Sequence, residues 1–106
     1  MKFRRRLLLH SLVLAPLALP KIASAASWVE AIVRERAIAH GIGPDYLAGV
    51  AWCESSMNPW AVNGRYKGLF QLGSPGELDR FYAWGYSDPF NAWEAADYTA
   101  RRLAQG

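Results

Sequence analysis

The sequence predicts a mainly α (α+β) domain, helical throughout except for one small β-hairpin. Three features point there. Leu47, Val50, Ala51 and Glu54 recur at i, i+3, i+4 and i+7, the spacing of one helical face. Asn63-Gly64, between Ala61-Val62 and Arg65-Tyr66, is a hairpin turn signal. Phe90, Trp93, Ala96, Ala100 and Leu103 mark another helical face near the end of the chain.

Taken in order, Ser27 with Glu30 three residues on reads as a capping box opening a helix to about His40, which Gly41 ends. Pro44 suits the first turn of a second helix, running to about Ser55, with Asn58 and Pro59 as its breakers. The ribbon around Asn63-Gly64 follows, and Gly68-Leu69-Phe70-Gln71 leaves it. Ser74-Pro75-x-Glu77 reads as a second capping box with proline at the first position, for a short helix ending near Gly85. Asp88-Pro89 opens the last helix.

The first 25 residues read as a signal peptide. Lys2, Arg4, Arg5 and Arg6 form a basic n-region, Leu7 to Pro20 is mostly apolar, and Ala23-Ser24-Ala25 is a small-residue cleavage site. Pro16 and Pro20 and a length below the ~20 residues of a span argue against an uncleaved membrane anchor. The expectation is therefore an exported protein, periplasmic, cell-wall-associated or secreted, with residues 26–106 as one small domain. Five of the twelve basic residues leave with the leader and none of the nine acidic ones do, so seven positive charges face nine negative, a net of about −2. The basic balance belongs to the leader, and a nucleic-acid-binding reading loses its support. All five Trp and all five Tyr remain, either as core rings or as sugar-stacking surfaces.

Glu54 is the candidate catalytic residue. It is a carboxylate on an apolar stripe in the last turn of its helix, where an apolar setting and the negative end of the helix dipole both resist ionisation. A carboxylic acid that keeps its proton near neutral pH is what a general acid requires. Cys53, the one cysteine, reads as a buried small residue or as half of a bridge whose partner is not in this chain. A nucleophile role finds no triad, since His40 is the only histidine after the leader. One Cys and one His also argue against a metal site, and no cofactor is expected.

Ala51-Trp52-Cys53-Glu54-Ser55-Ser56-Met57-Asn58-Pro59 resembles the Glu-Ser motif of the soluble, goose-type-lysozyme-like lytic transglycosylases. Gly68-Leu69-Phe70-Gln71 is similar to their second motif, a G-L-x-Q run about 14 residues past the Glu, and Asp88-Pro89-x-Asn91 with Ala95, Tyr98 and Leu103 resembles their next helix. The resemblance implies a lysozyme-like fold and cleavage of the β-1,4 bond between N-acetylmuramic acid and N-acetylglucosamine in peptidoglycan. It implies that Glu54 first protonates the glycosidic oxygen. The same group then accepts the proton of the muramyl C6 hydroxyl as a 1,6-anhydro ring closes. Ser55, Gln71, Phe70 and Tyr66 complete the implied set as substrate-binding candidates, Ser55 also as a group that orients Glu54.

The family's next segment, A-Y-N-x-G, supplies a Tyr that contacts the Glu, and Gly106 comes before any such motif. A shortened, loosely held site is therefore expected, with Tyr66, Tyr82, Tyr86 and Tyr98 as the substitutes. Two rival readings stand beside this one. A hydrolytic muramidase would need a second carboxylate, for which Asp79 and Asp88 are available. A non-catalytic cell-wall-binding module would keep the aromatics and dispense with Glu54 chemistry.

Overall fold

The structure is a computed structural model that describes the backbone of residues 19–106 and the side chains of residues 28–106. The signal-peptide reading falls largely outside the described residues. Among these residues, four helices and a three-stranded antiparallel sheet follow one another as α1 (Leu19–Ala39), α2 (Pro44–Ser55), β1 (Val62–Asn63), β2 (Tyr66–Lys67), β3 (Leu72–Gly73), α3 (Glu77–Ala83) and α4 (Ala92–Ala104). Among the described residues, no helix is long and apolar enough to cross a membrane.

Helix α1 does not begin at Ser27, as the capping box predicts. Its backbone is already helical from Leu19, so the amides that Ser27 would cap have helical partners upstream. Its end is as expected. The Gly41 N–H donates to the Ile38 carbonyl at 3.1 Å and the Ile42 N–H to the Ala37 carbonyl at 2.9 Å, the paired bonds of a Schellman motif. Gly41 has φ +74°, the left-handed conformation that this motif requires of the residue after the helix.

α1 packs on α2 and α4, and the core lies between them. Val29, Val33 and Ala37 come from α1, Leu47, Ala48, Val50 and Ala51 from α2, and Ala92, Ala95, Ala96 and Ala100 from α4. Small residues on α4 let the helices approach closely, and the volume is filled from the other side by Leu69, Phe70, Leu72 and Phe81. Phe81 meets Tyr98 edge-on at 5.5 Å and stacks on Tyr86 at 5.1 Å, so α3 is fixed to α4 through rings. The Tyr98 hydroxyl donates to Glu77 across the same seam.

The face predicted for α4 needs one correction. Ala96 and Ala100 are buried, but Trp93 is 44% exposed, with the Arg36 guanidinium 4.7 Å above its ring. A cation covers it in place of the core. The helix also starts later than Asp88-Pro89. Asn91 is the N-cap, its side chain accepting the Glu94 N–H at 2.8 Å.

A polar node closes the α1–α4 interface. Asp97 Oδ1 lies 2.9 Å from Arg36 Nη1 and 2.7 Å from His40 Nε2, and Asp97 Oδ2 accepts the Tyr86 hydroxyl at 2.7 Å. Burial pushes the Asp97 carboxyl up, but the hydrogen bonds from Tyr86, His40 and Arg36 outweigh it and hold the group below its usual value.

Candidate functional site

Helix α2 has the predicted bounds, with Pro44 in its first turn, and Leu47, Val50, Ala51 and Glu54 are all buried along it. Glu54 is 5% exposed, in the last turn. The helix stops because Ser56 and Met57 both take left-handed backbone, φ 55° and 61°, before Asn58 and Pro59 are reached. Neither residue is a glycine. Gln71, in the Gly68–Gln71 run, is left-handed as well, at φ 53°. Each such residue costs on the order of 1–3 kcal/mol and persists only where its surroundings over-determine it. All three lie within the two motifs singled out from the sequence.

The surroundings that impose this geometry are visible. The Ser55 hydroxyl lies 2.8 Å from the Leu69 carbonyl and 3.2 Å from the Ala51 carbonyl, and its oxygen accepts the Asn58 N–H at 3.1 Å. Ser55 thereby ties the end of the Glu54 helix to the middle of the second motif. Gly68 has φ +83°, and a Cβ there would fall 2.3 Å from the Pro89 carbonyl oxygen. Only glycine allows that approach, so the second motif is also seated against the Asp88-Pro89 segment.

Gln71 is 4% exposed and its amide is consumed internally. Nε2 donates to the carbonyls of Gly68 at 2.9 Å and Ala61 at 3.3 Å, while Oε1 accepts from Asn63 Nδ2 at 2.8 Å. It braces the ribbon. Phe70, expected among the substrate contacts, is fully buried and is a core residue. Tyr66 is half-buried in β2, its hydroxyl accepting from Arg65 Nη2 at 3.0 Å, with the Arg65 guanidinium 4.6 Å from its ring and the Gly73 backbone beneath it. Of the expected substrate-binding set, Ser55 and Gln71 thus serve as braces for the frame that positions Glu54.

The ribbon differs from expectation by one residue. Asn63 pairs with Tyr66, so the turn is Gly64-Arg65, with positive φ at its first position, as a type II′ turn requires. Its third strand, Leu72–Gly73, was not predicted. The second capping box also shifts. Gly76 is the N-cap of α3, and Asp79, not Glu77, reaches back to its N–H at 2.9 Å and takes the Ser74 hydroxyl at 2.9 Å.

These bonds bear on the other candidates. Asp79 is committed to its cap, and Asp88 Oδ1 accepts the Phe90 N–H at 2.9 Å. The Tyr86 and Tyr98 hydroxyls donate to Asp97 and Glu77. Burial, and then the charge of Glu54, push the Cys53 thiol up, which disfavours the thiolate that a nucleophile needs. Among the described residues no cluster of His, Cys, Asp or Glu has the makings of a metal site. What sequence reasoning missed was the Asp97 node, whose members lie up to 61 residues apart and carry no local signal.

No family model, curated protein or solved structure matches the chain.

Proposed function

We propose that the chain is an exported peptidoglycan lytic transglycosylase of lysozyme-like architecture. It would cleave the muramic acid–glucosamine bond with Glu54 as the single acid and base. The observation that carries this reading is the placement of Glu54. It is a buried carboxylic side chain in the final turn of α2, on a helix end that Ser55 fastens to the Gly68–Gln71 run. Burial and the helix C-terminus both favour the protonated acid in general. A proton held there is available to a leaving glycosidic oxygen, and the carboxylate so formed can take the C6 hydroxyl proton in the second step.

The reaction order asks one group to be acid and then base without a second carboxylate as nucleophile. The commitment of Asp79 and Asp88 to backbone amides of their own loops supports this order over hydrolysis, which would need one of them beside Glu54. The product distinguishes the two. Digested peptidoglycan should yield 1,6-anhydro-muramyl ends by mass analysis, whereas reducing ends in their place would make the domain a hydrolase.

A further inference from the structure

The five tryptophans divide into two groups. Trp52 Nε1 donates to Glu30 at 3.1 Å, Arg101 lies 4.3 Å over Trp84, and Arg36 covers Trp93. Trp28 and Trp60 have no such cover among the described residues. They are 53% and 64% exposed, with ring centroids 6.4 Å apart and planes tilted by 51°. At that tilt the rings touch without hiding each other's faces.

Trp60 is also held in place. Its backbone N–H donates to Asn58 Oδ1 at 3.0 Å, and it follows buried Pro59 directly after the left-handed Ser56–Met57 turn that ends the Glu54 helix. The pair therefore belongs to the same end of α2 as Glu54.

The occupant is narrowed by size and charge. Two tryptophans offer at most ~250 Å² each, well short of the ~800 Å² per partner of a stable protein interface. From Ser55 to Gly64 there is no charged side chain, and the nearest acid on α1, Glu30, is held by Arg34 at 2.9 Å and by Trp52. A cationic ligand finds no uncommitted acid among these residues. An uncharged, ring-shaped ligand with apolar C–H faces suits the negative faces of the two rings, and a polymer of such rings can engage both.

We infer that Trp28 and Trp60 form a stacking platform for successive sugar rings of a glycan backbone, which grips the polymer beside Glu54. This rests on the reading given under Proposed function. The platform holds the strand while Glu54 acts on a neighbouring linkage, and neither ring takes part in proton transfer.

The test measures sedimentation with insoluble peptidoglycan sacculi, in a Glu54→Gln background so that the polymer stays intact. Trp28→Ala and Trp60→Ala should each weaken binding by about tenfold, the scale of an aromatic anchor. Trp28→Phe and Trp60→Phe keep a ring face and should restore most of it, which separates lost stacking from lost folding. Unchanged binding in the double alanine variant overturns the platform, as does displacement of the sacculi by tetramethylammonium, which would mark a cation site. The two readings fail separately. Anhydro products from the wild type with tryptophan-independent binding remove the platform alone. Tryptophan-dependent binding with no cleavage by the wild type leaves a glycan-binding surface and removes the enzyme.

Discussion

The Ser55 hydroxyl meets the Leu69 carbonyl at 2.8 Å, joining residues fourteen apart in the chain and belonging to two different motifs. Ser55 immediately follows Glu54, so this bond fixes the helix turn that carries the acid against the segment opposite. A side chain expected to touch substrate or orient the acid is, in the folded chain, a brace between the two motifs.

Ser55→Ala should therefore cost stability as well as activity. It leaves the Leu69 carbonyl without its hydroxyl donor and removes an acceptor from the Asn58 N–H. A lost hydrogen bond of this kind is worth about 0.5–1.5 kcal/mol. In a domain of this size that lowers the melting temperature by about 4–8 °C per kcal/mol. Thermal melting checks it, and an unchanged melting point would show that the bond is not a brace.

Gly68 and Gly73 offer a contrast within one ribbon. A Cβ at Gly68 would fall 2.3 Å from the Pro89 carbonyl oxygen, a backbone atom, and φ there is +83°. A Cβ at Gly73 would fall 2.8 Å from Tyr66 Cε1, which belongs to a side chain that can turn aside. Gly68→Ala should thus destabilise by about 4 kcal/mol or more and Gly73→Ala by clearly less. Denaturant midpoints of the two variants rank them, and the reverse order would contradict the packing described.

Acid sensitivity should trace to Asp97. Its carboxyl is held below the usual range in the folded chain, so it binds fewer protons folded than unfolded. Its contribution is then fully present above the unfolded value of ~3.9 and is lost as pH falls through the lower folded value. Asp79, lowered chiefly by the Gly76 N–H, has the same sign. Urea midpoints should drop below about pH 4, and Asp97→Asn should flatten that drop while lowering stability at neutral pH. An equally steep acid limb in the variant would assign it to other groups.

Much of the frame was legible because its signals are local. Pro44 and the Leu47–Glu54 stripe set α2 and the burial of Glu54, and Gly41 set the end of α1. The misplacements arose where a contact distant in sequence decided. Asn63 looked like a turn residue, yet its amide reaches Gln71 and draws it into β1. Trp93 looked like core, but Arg36, from another helix, covers it. Ser74 and Glu77 matched a capping box, but Gly76 at φ +134° lets Asp79 close the helix instead. Phe70 sat in a motif read for substrate and proved to be packing. Leu72–Gly73 is too short and too fully buried to show the alternation that reveals a strand.

We propose Glu54 as the proton donor and acceptor of a transglycosylase. The most direct measurement is digestion of purified peptidoglycan by the wild type and by Glu54→Gln, with the products read by mass. The wild type should release 1,6-anhydro-muramyl fragments, and the variant, with an amide that cannot donate the proton, should be slower by ~10²–10⁴-fold at an unchanged melting temperature. Equal turnover by the variant, or a wild type that releases no anhydro product, would contradict the account.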